Sequence, residues 1–169
     1  MTIVRPETTV DHIAIHRINE AAFGRPNEAD LVDTLRAAGH AVLSLVAINK
    51  GQVVGHIFFT PVSIESQSSP HSALALGPMG VLPELQNRRI GSLLVRRGLE
   101  GCLASGFPVV VVLGHPHFYP RFGFTEARAR GINPQWDVPD EAFMVAELEP
   151  GALRGVTGTV RYRPEFDEL

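Results

Sequence analysis

Apolar positions along this chain recur with two different periods, and the switches between them mark its elements. Ile3 to Arg5 forms a short opening strand. From about Val10 to Phe23, Ile13, Ile18, Ala21 and Ala22 return at helical spacing before Gly24. Thr8, followed three residues later by Asp11, supplies a capping-box pattern for that helix. A second helix is predicted in "NEADLVDTLRAAG", with Asn27 as its cap, Asp30 in the first turn, Leu31 and Leu35 buried, and Gly39 as the stop.

The rhythm then changes. "AVLSLVAINKGQVVGHIFFTPVSIES" is rich in β-branched and aromatic residues on either side of Asn49-Lys50-Gly51, which predicts a hairpin. "SALALGPMGVLP" continues as a third strand, and Gly77, Pro78 and Gly80 suit a bulged or splayed strand better than a regular one. From Arg88 to Ser105, Ile90, Leu93, Leu94, Val95, Leu99, Cys102 and Leu103 form the broad apolar face of a helix that packs on a sheet. "PVVVVLG" is a continuous apolar run, the mark of a strand covered on both faces. "HPHFYPRFGF" makes a short helical turn broken by Pro120 and Gly123, "ARARGINPQWDVPD" reads as a surface loop, and Phe143 to Leu148 is expected as the last strand. The sum is a mixed α/β or α+β fold, expected as one domain over 1–169, with a core at 2–148 and a C-terminal extension at 149–169.

Composition narrows the function. Apolar residues make up 44% and charged residues 20% with no low-complexity run, so the chain is globular. A formal net charge of -3 gives no global attraction to nucleic acid or acidic membrane, and any anion site must be local. The single cysteine, Cys102, excludes an intramolecular disulfide and argues against a cysteine-based zinc site, as suits a reducing compartment. "MTIVRPETTVDH" lacks a signal peptide's apolar core and no apolar run reaches membrane-spanning length, so a soluble cytoplasmic protein is expected.

The candidate chemistry lies in "GPMGVLPELQNRRIGSLLVRRGLE", where a strand turns directly into a helix. The first N-H groups of such a helix are unpaired and, with the positive end of its dipole, form an anion site. Gly91 leaves room for close approach of a phosphate, and Arg88 and Arg89 add positive charge that would otherwise oppose the dipole. Arg96 and Arg97, two turns on, reach a more distant phosphate or are a solvated face. There is no G-x-x-x-x-G-K-[ST], and no G-x-G-x-x-G with its acidic partner, so nucleoside triphosphate and dinucleotide sites are disfavoured.

What remains, V-x-P-x-x-Q-x-x-x-x-G from Val81 to Gly91, resembles the acyl-CoA-binding signature of the GNAT superfamily of N-acetyltransferases, Q/R-x-x-G-x-G/A. Gln86 fills the first position and Gly91 the last, while Arg89 replaces the first glycine. "FYPRFGF" resembles the family's Y-x-x-x-G-F segment, and "LGHPHFYPRFGF" with "PDEAFMVAEL" is similar to its bacterial YhbS-like subgroup. The resemblance implies a mostly antiparallel central sheet flanked by helices, with splayed central strands. It further implies an N-acetyltransferase that moves the acetyl group of acetyl-CoA to a primary amine by direct attack in a ternary complex.

By the same resemblance, Met79, Gly80 and Val81 pair with the pantetheine arm, the pyrophosphate sits on the amides of Asn87, Arg88, Arg89, Ile90, Gly91 and Ser92, and Gln86 belongs to the same cofactor-binding set. A backbone N-H at Val81 or a neighbour stabilises the oxyanion. Tyr119 becomes the candidate general acid for the CoA thiolate, although it also reads as a core tyrosine clustered with Phe118, Phe122 and Phe124. For the general base, His115 is best placed, ahead of His117, Glu20 and Glu65; no metal is expected. Phe23, Arg25, Trp136 and Asp137 are candidate walls for the acceptor, or simply loop packing and solvated charge. The acceptor is a small-molecule or protein amine, with no nucleic acid or membrane partner, and a homodimer is compatible. A non-catalytic acyl-CoA sensor on the same fold, and transfer of a longer acyl group or transfer to a hydroxyl, are the alternatives.

Overall fold

A computed structural model describes residues 1–169. Its strands are β1 (Thr2–Pro6), β2 (Leu43–Asn49), β3 (Gln52–Glu65), β4 (His71–Val81), β5 (Val109–Leu113), β6 (Thr125–Glu126), β7 (Ile132–Asn133), β8 (Phe143–Glu147) and β9 (Gly158–Arg161). Its helices are α1 (His12–Phe23), α2 (Asn27–Ala37) and α3 (Ile90–Ala104). The strand order is β1-β2-β3-β4-β5-β8-β6, with β9 paired to β3 and β7, and most pairs are antiparallel. The exceptions are β4 with β5 and β7 with β9. The chain divides into two compact units.

The first unit comprises Met1–Thr60, Gly77–Gly98 and Pro164–Leu169. Its core joins Ile15 of α1 and Leu31, Val32 and Leu35 of α2 to Val46 and Phe58 of the hairpin. Lys50 and Gly51 take φ of 51° and 75°, the left-handed pair that matches the twist of a two-residue hairpin turn. The capping box forms at a short turn before α1: Asp11 Oδ2 accepts the Thr8 N-H at 2.7 Å. Arg5 of β1 donates to the same carboxylate at 2.7 and 3.1 Å, which ties the first strand to the first helix.

Two local expectations need correction here. Ile13 is 69% exposed, because the buried stripe of α1 runs through Ile15, Ile18 and Asn19 instead. Asn27 is the first residue of α2 and not its cap; Pro26 holds that position and its C=O accepts the Asp30 N-H at 2.8 Å.

The second unit comprises Pro61–Leu76 and Leu99–Arg163. Here Leu74–Leu76 of β4 lie parallel to Val110–Val112 of β5, and β5 is antiparallel to β8 throughout its length. The expected surface loop proves partly structural, since Ala127 and Ile132 are fully buried against Phe143, Val145 and Val160. Two isolated apolar residues among turn formers give no periodic signal, so their burial is invisible to pattern reading. Nor do residues after 148 simply trail: β9 pairs with Ser63–Glu65, and Pro164–Glu168 form a turn against α2 in the first unit.

Candidate functional site

The end of β4 and the start of α3 belong to the first unit and form one continuous feature. Gly77, at φ +136°, follows the last residue of the β4–β5 ladder and redirects the strand. Beyond it Met79 is half-buried and Gly80 and Val81 are buried. The Leu82 N-H donates to the Val54 C=O at 3.0 Å, after which Pro83–Leu85 make a single 3-10 turn. Gln86 Nε2 then reaches back to the Val81 C=O at 3.1 Å, closing the loop on the strand it has just left.

Asn87 and Arg89 take φ of 63° and 68° on either side of Arg88. Such alternation turns successive N-H groups toward one concave side, the geometry of an anion nest. The Arg89 C=O accepts the Leu93 N-H at 3.1 Å, so the N-H groups of Arg89, Ile90, Gly91 and Ser92 lie ahead of the helical ladder. Arg88 and Arg89 are exposed. The family glycine missing from the sequence is therefore replaced in identity and not in conformation: Arg89 adopts the left-handed backbone a glycine would take.

Close docking sets the direction of this helix start. A Cβ on Gly55 would lie 3.0 Å from Leu94 Cδ1 and 3.3 Å from Ile90 Cγ2. One on Gly98 would lie 2.6 Å from two ring atoms of Phe59.

On the α1 side of β4 the structure adds residues that sequence reasoning passed over. Asn19 and His56 are fully buried and bonded to each other, Nδ2 to Nδ1, at 3.1 Å. His56 Nε2 meets Ser44 Oγ at 2.9 Å, and the Ser44 hydroxyl donates to Glu7. Arg36 donates to Glu7 at 2.7 and 3.0 Å, and His12 Nε2 lies 2.8 Å away. Burial alone would raise the Glu7 pKa, but the bonds from Arg36 and Ser44 outweigh it and hold the carboxylate below its ordinary range. Burial pushes His56 down to about 3, so the imidazole is neutral. The signal for this network was present: Asn19 sits on an apolar helix face and His56 within an apolar strand, where a polar side chain requires a partner.

In the second unit, β5 ends at Leu113 and feeds a turn that carries Tyr119. The His115 C=O accepts the Phe118 N-H at 3.1 Å; the His115 and His117 side chains are exposed. Tyr119 is 6% exposed, with its ring edge-on to Phe118 at 5.0 Å and to Phe124 at 5.6 Å. Phe118 in turn meets Phe122 at 5.1 Å, so the aromatic cluster anticipated from sequence is real. Gly114 seats the ring, since a Cβ there would lie 2.5 Å from Tyr119 Cε2. Burial raises the Tyr119 hydroxyl to about 12.

The remaining candidates have other engagements. Arg25 is paired with Glu28, its Nε 2.9 Å from a carboxylate oxygen, and Trp136 packs on Tyr162 with ring centroids 4.8 Å apart. Glu20 lies 4.0 Å from His16, and Glu65 lies 3.9 Å from Arg161. No helix is long and apolar enough to cross a membrane.

Comparison with known proteins gives the family and the fold. The family model for the acetyltransferase (GNAT) domain matches residues 4–127. The chain is 34% identical over 168 residues to the uncharacterized N-acetyltransferase YhbS of Escherichia coli K12, covering 99% of each. It is 36% identical over 149 residues to the uncharacterized N-acetyltransferase YjhQ of the same organism, covering 83% of this chain and 82% of that one. The crystal structure of Escherichia coli YhbS in complex with CoA superposes with a TM-score of 0.93 at 34% identity, over 98% of this chain and 92% of the other. A GNAT family acetyltransferase from Brucella melitensis in complex with acetyl-CoA gives a TM-score of 0.82 at 34% identity, over 99% of both chains. With its domain matched over most of its length and relatives of this identity spanning it end to end, this chain belongs to the GNAT family of acetyltransferases.

Proposed function

We propose that this protein transfers the acetyl group of acetyl-CoA to a primary amine by direct attack in a ternary complex. The observation that carries the reading is the turn from β4 into α3. Its left-handed Asn87 and Arg89, its Gln86 brace and the free N-H groups of Arg89 to Ser92 make a pyrophosphate cradle from backbone alone. The relatives crystallised with CoA and acetyl-CoA support this choice of anion. In this reading Met79, Gly80 and Val81 pair with the pantetheine arm, Asn87, Arg88, Arg89, Ile90, Gly91 and Ser92 hold the pyrophosphate, and Gln86 braces the loop that carries them. The Val81 N-H stabilises the oxyanion.

The reaction forms an N-C bond as the C-S bond breaks. The ammonium acceptor must first lose a proton, for which exposed His115 is the candidate base, acting through water. The departing thiolate must gain one, and Tyr119 is the candidate donor. Burial pushes its hydroxyl up to about 12, so it holds its proton until a strong base such as a departing thiolate is there to take it.

The test is calorimetric titration with acetyl-CoA, followed by CoA release on addition of an amine panel. Micromolar binding and amine-dependent release are expected, and Tyr119→Phe should retain binding while turnover drops at least about tenfold, ~1.4 kcal/mol of barrier. Binding with no release for any amine would favour a sensor. Full turnover in Tyr119→Phe would remove that residue from the mechanism.

A further inference from the structure

A buried carboxamide oxygen left without a hydrogen bond is destabilising, and the chain carries one at a telling place. Asn19 is 0% exposed and its Oδ1 has no partner. Rotating the amide cannot relieve this, because Nδ2 faces two acceptors: the Ile15 C=O at 3.2 Å and His56 Nδ1 at 3.1 Å. His56 Nδ1 must accept, since its Nε2-H is directed at Ser44 Oγ, whose own proton goes to Glu7. Arg36 anchors that carboxylate. The chain Arg36–Glu7–Ser44–His56 thus fixes which way Asn19 points.

It points at β4. A Cβ built on Gly80 would stand 3.2 Å from Asn19 Oδ1 and 3.1 Å from Ala22 Cβ, so glycine is what allows the oxygen to lie against the strand. Gly80 is one residue before Val81, whose N-H is the proposed oxyanion donor.

We infer that Asn19 Oδ1 accepts an N-H of the incoming amine, and that the amine therefore attacks the thioester from the α1 face of β4. The inference rests on the acetyl-transfer reading and names the face and the contact that reading leaves open. With its carbonyl oxygen bonded to a strand N-H and its sulfur on an arm paired with the same strand, the thioester lies near the plane of the sheet. A nucleophile must approach such a planar carbonyl from above or below. At Gly80 the α1 face offers an unpaired acceptor against the strand, one residue from the proposed oxyanion donor, held there by the chain from Arg36 to His56. Asn19 takes no proton: the amine nitrogen bonds to the acetyl carbon, the sulfur leaves with the C-S electron pair, and the proton lost by nitrogen is balanced by the one gained by sulfur. His56 and Ser44 are positioning residues in this scheme, acting only through Asn19.

The test uses two bisubstrate probes, CoA-S-CH2-CO-NH-benzyl and its ester CoA-S-CH2-CO-O-benzyl, which differ in one N-H at the nucleophile position. Affinities of both, and of acetyl-CoA, are measured on the wild type and on Asn19→Leu, with Asn19→Ser as the substitute if the leucine variant does not fold. The wild type should prefer the amide by about tenfold, the worth of one good hydrogen bond. The variant should lose that preference while acetyl-CoA binds unchanged. An equal preference in both proteins, or none in the wild type, overturns the inference. A parallel loss of acetyl-CoA affinity also overturns it, by showing that a pantetheine amide is the donor. If the wild type binds neither acetyl-CoA nor the probes, the acetyl-transfer reading falls and takes the inference with it.

Discussion

Arg89 carries a long charged side chain on a backbone conformation that glycine adopts most easily, φ +68°. Holding a non-glycine residue there costs about 1 kcal/mol. Replacing it with glycine keeps the nest and removes a cation beside the proposed pyrophosphate. Arg89→Gly should therefore raise the melting temperature by about 2–4 °C and weaken CoA binding by about two- to fivefold at low salt, read by thermal denaturation and calorimetry. Tighter CoA binding would show that the side chain obstructs the site. Of this, the charge at position 89 was legible in the sequence. Its left-handed backbone was not, because arginine gives no local signal for positive φ and the turn is imposed by the strand before it and the helix after it.

Among the elements, α3 shows how packing aims a site. Most of its apolar face was readable from spacing, since Ile90, Leu94, Val95, Leu99 and Cys102 are buried, but Leu93 is only half-buried and Leu103, at the end of the helix, is 42% exposed. How near the helix lies to the sheet was not readable, since it depends on Gly55 and Gly98, neither of which has a helical or strand periodicity to announce it. Gly98→Ala puts a methyl 2.6 Å from the ring of fully buried Phe59. Overpacking of this kind costs about 1–3 kcal/mol, against at most about 1 kcal/mol recovered in helix propensity. A lower melting temperature with weaker CoA binding is expected, because the N-terminus of α3 must shift. An unchanged melting temperature would mean that Phe59 moves aside freely. Periodicity failed altogether at β7 and β9, whose few residues are too short for a pattern and are fixed by partners remote in sequence.

The response of the chain as a whole to acid follows from its buried titratable groups. His56 is held at about 3 by burial against an ordinary 6.5, so between those values the unfolded chain binds a proton the folded one refuses. Stability falls as pH falls through that window, by up to about 1.4 kcal/mol per pH unit. Asp11, lowered to about 2 chiefly by its bonds from Arg5, adds a loss of the same sign below 3.8, and Glu7 acts in the same direction below its ordinary 4.5. Urea midpoints should decline from pH 6.5 to 5, and His56→Gln should flatten that segment while leaving the steeper loss near pH 3 to the carboxylates. A slope unaltered by the substitution would show that His56 is not the group responsible.

Element types, the hairpin, the turn from strand to helix between Pro83 and Ile90 and the family were all legible in the chain because each rests on local chemistry: apolar period, turn residues, glycine and charge near a helix start. The aromatic cluster around Tyr119 was legible for the same reason, four rings falling within seven residues. What had to await the folded chain was every relation between segments distant in sequence. Asn19 and His56 stand out as polar residues in apolar surroundings, but the sequence does not say that they meet each other, nor that Ser44 and Glu7 join them. Folding removes them from water together, and a buried polar group must then find its partner among whatever the fold brings near. That requirement, and not any motif, orients Asn19 toward Gly80.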